Sequence, residues 1–266
     1  MDTEDILRCP KTGNKLLFDS ADSIVHVEHT DVTYPVIDGI IDFCPRAKDR
    51  VSTAYNKVAC RYDKLLSRPS ILRRIINALV WGMADDSTYL DTVLSYLPSD
   101  FDGILLDVPV GTGVFTSPIY TKYPKATIIG IDLSMGMLHK ARECFERDGL
   151  RNVFLLRADV TNLPLRNNAV DLVLSMNGWH AFTDKQGAIA EIRRVLRTQG
   201  TLIACGYVKG VRKITDWFIK HFGVRKGFFN PPFFEHGEIA SKFKGFTIIR
   251  QANVKSIAYF EAVKEG

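Results

Sequence analysis

Short apolar runs bounded by turn residues recur at 104–107 (ILLD), 127–132 (TIIGID), 153–156 (VFLL), 170–176 (VDLVLSM) and 201–208 (TLIACGYV). Each reads as a buried strand of a parallel sheet. Between the runs, apolar positions fall at helical spacing. Ser134 caps a predicted helix from 135 to about 147, with Gly149 past its end. Ala188, Ile189, Ile192, Val195 and Leu196 make one face of the next helix, which Gly200 is expected to end. Strand and helix in alternation predict an α/β domain with a mostly parallel sheet. Two last apolar stretches, 246–252 and 257–263, predict closing strands.

The first hundred residues keep other rhythms. Residues 1–48 contain alternating segments such as IVHV at 24–27, which suit short strands, and the turn pair Asp38-Gly39. They are expected to form a small unit of their own. Residues 49–100 read as helical, with Tyr55, Ala59 and Tyr62 on one face. Ser70 is placed to cap a helix with the stripe Ile71, Leu72, Ile75, Ile76 and Leu79, and a further helix runs from 87 to 97, before Pro98. Residues 101–266 make the main domain. It is interrupted at 209–240, where Trp217, Phe218, Phe222, Phe228, Phe229, Phe233 and Phe234 are interleaved with Lys209, Arg212, Lys213, Lys220, Arg225 and Lys226. Such a mixture can track a nucleic-acid strand, line a small-molecule pocket, or form the core of a helical hairpin.

Composition narrows the picture only a little. No apolar run approaches a membrane span, and the start MDTEDILR is no signal peptide, so a cytoplasmic location is expected. Five scattered cysteines argue against a disulfide framework. The net charge of +5 is compatible with RNA, an anionic substrate or neither.

The stretch ILLDVPVGTGVF at 104–115 carries the clearest chemistry. A strand ends in Asp107, and Gly111 and Gly113 then allow a sharp turn and close approach of a ligand. A helix opening at Val114 would aim free N–H groups and a positive dipole end into the turn. An acid beside such donors suits a ligand with both a cationic group and a carboxylate. Asp132 lies about twenty residues further on, where a Rossmann-type unit places an acid on a ribose diol.

LLDVPVGTG, GIDLSMGML and RADVTNLPLRNNAVDLVLSMNGWHAF resemble the ordered motifs of Rossmann-like S-adenosylmethionine-dependent methyltransferases, over roughly 101–208 and more weakly to the end. The resemblance implies a seven-stranded, mostly parallel sheet with an antiparallel C-terminal hairpin, S-adenosylmethionine as cofactor, and methyl transfer. It also implies site roles. Asp107 serves the amino-acid end of the cofactor, with the Gly111 and Gly113 turn. Asp132 takes the ribose hydroxyls, with Leu133 and Met137 beside it. Asp159 takes the adenine amino group, the Val160 backbone reads a ring nitrogen, and Asn177 adjoins. Tyr55 and Tyr62 stand in a segment that tends to cover the cofactor in this family. Pro109 replaces the first glycine of the usual D-x-G-x-G-x-G pattern. Thr116 stands where a nicotinamide-binding fingerprint wants its third glycine.

Residues 1–48 resemble the zinc-ribbon-like segments ahead of some methyltransferases, including ribosomal RNA guanine methyltransferases. Thr12 stands where the second cysteine of a C-x-x-C pair would be. Cys9, His26, His29 and Cys44 could complete a tetrahedral site, but a ribbon held by its core without metal is the expectation. His180, after the fourth strand of the main domain, is the candidate general base; the alternative is that it bonds the backbone of the next helix while Trp179 packs in the core. Trp179, Trp217 and Phe229 are candidates for contact with the acceptor, and 209–240 is expected to close over it as a lid. The expected reaction is methylation of a small, partly apolar metabolite. An RNA base methyltransferase and a scaffold that has lost its chemistry are the alternatives.

Overall fold

The computed structural model describes residues 3–18, 23–45, 53–55 and 87–266. Tyr62 and the helices expected between 56 and 86 lie outside the described residues.

The main sheet is built from β5 (Ile104–Asp107), β6 (Thr127–Asp132), β7 (Val153–Arg157), β8 (Val170–Met176) and β9 (Leu196–Tyr207), with the hairpin β10 (Phe246–Val254) and β11 (Ile257–Lys264). The spatial order is β7-β6-β5-β8-β9-β11-β10. The first five strands are mutually parallel, and β11 returns antiparallel between β9 and β10. Alternation along each strand feeds two cores. Leu105, Ile128, Leu172 and Leu174 face one side, and Leu106, Ile129, Val173 and Leu202 the other. All are buried, which is why these strands read as continuous apolar runs.

The sheet is longer than the seven strands expected. β1 (Leu16–Phe18), β2 (Ile24–Val27), β3 (Thr33–Ile37) and β4 (Ile40–Asp42) continue the same order beyond β7. β4 pairs with β7 in parallel, Ile41 opposite Leu156 and Asp42 opposite Arg157. In the ribbon, Cys9 is buried with its thiol 3.3 Å from the Tyr34 hydroxyl, whereas His26 and His29 are exposed. Among the described residues no group of three or more His, Cys, Asp or Glu is placed to hold a metal ion.

The helices pack on the two faces. Besides α1 (Ser87–Leu94), these are α2 (Ser117–Tyr120), α3 (Met135–Arg147) and α4 (Lys185–Val195). Ser134 caps α3 by accepting from the Met137 N–H at 3.2 Å, and Gly149 past its end has φ +74°. Two boundaries differ from expectation. No helix opens at Val114: the chain turns through Thr116, whose N–H and that of Ser117 bond the Gly113 carbonyl at 3.1 and 2.8 Å, and only one helical turn follows. Nor does Gly200 end α4. The helix stops at Val195, β9 begins at once, and Gly200 lies inside that strand.

The 209–240 insertion starts with α5 (Lys213–Phe218), continued by a π-turn at Ile219–Gly223 and a last turn at Val224–Lys226. Part of it is core rather than cover. Thr215, Ile219, Phe234 and Ile239 are buried. Among the described residues no helix is long and apolar enough to cross a membrane.

Pro109, which stands where the pattern that the sequence resembles has its first glycine, has its own complement. Its ring packs against Gly178, just past β8, and a methyl group there would overlap the Pro109 ring and Phe182. Gly178→Ala is therefore expected to destabilise the fold by about 1–3 kcal/mol through overpacking. Thermal unfolding checks this, and an unchanged midpoint would mean that the turn yields freely.

Candidate functional site

Parallel pairing brings the C-terminal ends of β5 to β8 side by side, with Asp107 opposite Gly130 and Leu174, and Asp132 opposite Arg157. Open α/β sheets take ligands at this end. The glycine turn sits above it. Gly111 (φ +58°) and Gly113 (φ +72°) occupy the left-handed region that favours glycine. Their surroundings differ. A methyl group on Gly113 would strike the Phe145 ring, so that glycine lets α3 pack closely; a methyl group on Gly111 would meet nothing within 4 Å. Gly111 thus presents bare backbone to open space, room that a ligand can use.

Asp132 ties the turn to the neighbouring strand. Its Oδ2 accepts from the Gly111 N–H at 3.0 Å and its Oδ1 from the Ser134 N–H at 2.8 Å. Half-exposed Leu133 lies between, while Met137 is buried in the first turn of α3. Asp159 shapes the next loop, its Oδ1 accepting from the Thr161 N–H at 2.9 Å and hydroxyl at 2.8 Å. Asp159 is half-exposed and Val160 buried. Asn177 follows β8 in the left-handed region at φ +56°. Gly111, Asp132, Leu133, Asp159 and Asn177 are therefore brought to one end of the sheet.

Asp107 lies beneath them, wholly buried. The Tyr120 hydroxyl donates to its Oδ2, and Oδ1 has no partner among the described residues. Burial pushes the Asp107 carboxyl up to about 7, against the opposing Tyr120 and Thr116 hydroxyls. An unpaired buried carboxylate oxygen under a glycine turn fits a ligand with a cationic group at this point, and the half-exposed acids at the two neighbouring strand ends fit a nucleoside.

The acceptor side differs from expectation. Trp179 is core: it is 2% exposed and packs against Phe182, Phe234 and Phe243. Trp217 points outward, 56% exposed and stacked on His221. Neither is brought to the strand ends. Phe229 is, with its ring stacked on His180 at 4.2 Å and 23°. Tyr207 and Phe233 contact Phe229 edge-on at 6.0 and 6.3 Å, and Tyr55 meets Phe228 at 5.3 Å. The result is an aromatic wall above β8 and β9, with His180 and Tyr207 buried and Phe229 and Phe233 half-buried.

His180 belongs to that wall and is ill suited to be a base. It is 8% exposed, and its Nδ1 has no partner among the described residues. Burial, with the Lys185 charge adding, pushes the imidazole down to about 3, so it is neutral at pH 7 and holds protons weakly. Lys185, itself pushed down to about 8 by burial, donates to the Phe182 and Asn230 carbonyls at 2.9 and 2.8 Å. The Asn230 N–H returns to the His180 carbonyl at 2.7 Å. These bonds fasten the far end of the insertion to the loop after β8.

Sequence reasoning missed Tyr120, Lys185, Tyr207, Asp42 and Arg157. Asp42 had a signal: IID at 40–42 repeats the apolar-run-then-acid pattern of ILLD and TIIGID. Lys185 had none, since a lysine in a first helical turn reads as solvated.

Residues 105–200 match a methyltransferase domain family. An uncharacterized chloroplastic methyltransferase of Arabidopsis thaliana is 32% identical over 127 residues, 46% of this chain and 36% of that protein. A malonyl-acyl-carrier-protein O-methyltransferase of Geobacter sulfurreducens is 35% identical over 139 residues, 48% of this chain and 51% of that protein. The chain thus spans about half the length, or less, of these curated relatives. A SAM-dependent methyltransferase of Thermotoga maritima shares the fold at TM-score 0.59 and 20% identity, over 81% of this chain and all of that one. Residues 105–200 thus match a methyltransferase domain family, and the chain shares the fold of a SAM-dependent methyltransferase.

Proposed function

We propose that the protein methylates a small, partly apolar metabolite, with S-adenosylmethionine as donor. The observation that carries the acceptor class is the aromatic wall of His180, Phe229, Phe233 and Tyr207 at the C-terminal ends of β8 and β9. Such a surface favours a flat or apolar acceptor and excludes water from its reacting face.

Bound S-adenosylmethionine supplies an electrophilic methyl on a sulfonium, displaced in line. The residues hold and orient. Asp132 takes the ribose hydroxyls and Asp159 the adenine amino group. Gly111 gives the close approach, and Asp107 faces the cationic end through the turn that it underlies. His180, neutral and stacked on Phe229, positions the acceptor and takes no proton. Catalysis in this reading rests on proximity and orientation.

Asp132→Ala should weaken binding of S-adenosylmethionine by on the order of 2 kcal/mol, the loss expected for charge-assisted hydrogen bonds. Calorimetry decides, and unchanged affinity would remove Asp132 from the nucleoside.

Asp107 gives binding a pH signature. Its carboxyl titrates near 7 in the free protein, and a cation brought near would favour the ionised form. Affinity should rise from pH 6 to 8, levelling above, with proton release on binding near pH 7. Heats measured in buffers of different ionisation enthalpy report that release, which should vanish in Asp107→Asn. The same heat in every buffer for the unaltered protein would show that Asp107 meets no cation.

His180→Phe keeps an aromatic ring on Phe229 and removes the imidazole. Turnover should stay within about tenfold, with no titration step lost between pH 5 and 8. A fall of roughly 100-fold or more would restore His180 as the base.

A further inference from the structure

The N-terminal strands end against the loops that form the site. Arg157, the last residue of β7, lies between two acid-ended strands, with Asp42 of β4 opposite it on one side and Asp132 of β6 on the other. Its side chain binds both neighbours. Nη1 meets Asp42 Oδ2 at 2.8 Å, and Nε donates to the Leu133 carbonyl, the residue after Asp132, at 2.9 Å. Asp42 is held in turn, its Oδ1 accepting from the Cys44 N–H at 2.8 Å. The Phe43 N–H bonds the Arg157 carbonyl at 2.9 Å, and the Cys44 thiol sits against the Asp159 backbone. One three-residue turn, Asp42 to Cys44, thus reaches both loops whose acids face the ligand end of the sheet.

The pair is deeply buried, Asp42 2% and Arg157 9% exposed. As a mere staple between strands it is poor chemistry, because desolvating two charges offsets most of their attraction and apolar side chains of similar size serve as well or better. What an ion pair adds is direction. A guanidinium held by a carboxylate on one side presents its remaining N–H groups along fixed lines. Here one such line ends on the backbone beside Asp132.

We infer that Asp42 and Arg157 are positioning residues of the nucleoside half of the cofactor site, so that the N-terminal strands are a working part of that site. This rests on the reading that Asp132 and Asp159 hold the nucleoside. Through Leu133, the pair sets the loop from Asp132 to Ser134. Through Asp42, β4 sets the pair.

The test uses the full chain with S-adenosylhomocysteine and adenosine as probes. Asp42→Asn should lower affinity for both by about tenfold. Because that variant leaves a buried guanidinium unpaired and can lose stability, the decisive variant is the double replacement Asp42→Leu with Arg157→Met. It removes both charges and is expected to melt close to the unaltered protein, yet bind both probes about tenfold more weakly. Arg157→Lys, which keeps a charge but loses the fork, serves as a second variant and should lose affinity by a similar factor. Affinities within twofold of the unaltered protein in the folded double variant or in Arg157→Lys would overturn the inference and reduce the pair to a staple. Failure of the unaltered protein to bind S-adenosylhomocysteine would overturn the nucleoside reading, and this inference with it.

Discussion

The bonds from Gly111 and Ser134 to the two oxygens of Asp132 hold the site together. The first joins the turn that follows β5 to the end of β6, and the second fixes the loop that follows β6. They add to the backbone bonds that already shape the glycine turn, from Val110 to the Ile131 carbonyl and from Thr116 and Ser117 to the Gly113 carbonyl. A carboxylate accepting backbone N–H groups is a strong and directional clamp. The rest of the ligand end is arranged around it: Asp107 buried below, Asp159 on the adjoining loop, and the aromatic wall on the far side of β8.

Much of the fold was legible because it depends on local chemistry. The strand at Val170–Met176 and the Ser134 cap follow from an unbroken apolar run and a single side-chain oxygen. What escaped depends on partners distant in the chain. Trp179 is adjacent to His180 and to the ligand end of the sheet, so sequence alone offered it as an acceptor contact. Phe234 and Phe243, more than fifty residues away, claim it for the core. His180 reads as a base from its position and ordinary pKa; only the packing of Phe229 and Lys185 around it shows why it stays neutral. Trp217 faces outward because Thr215 and Ile219 take the buried face of its helix.

One fold can serve proteins with different substrates, so the fold says less about the acceptor than the side chains that line the site. Two further features flank the parallel frame. On one flank, an aromatic insertion is latched through Asn230. On the other, four extra strands are added beyond β7. The Pro109–Gly178 contact shows how a departure from a common motif is absorbed: bulk gained on one loop is matched by bulk absent from the loop facing it.

The extra strands also bear on the order in which the chain assembles. Asp42 and Arg157 are 115 positions apart, and β4 finds its parallel neighbour only when β7 is in place. Contacts of such separation carry the loop-closure cost of everything between them. In β1 to β3, by contrast, each strand pairs with the next in antiparallel fashion and can form early. The N-terminal strands can thus pair among themselves without the parallel sheet, whereas their docking on β7 waits for that strand. Until then β7 is a bare edge, open to any other strand that passes.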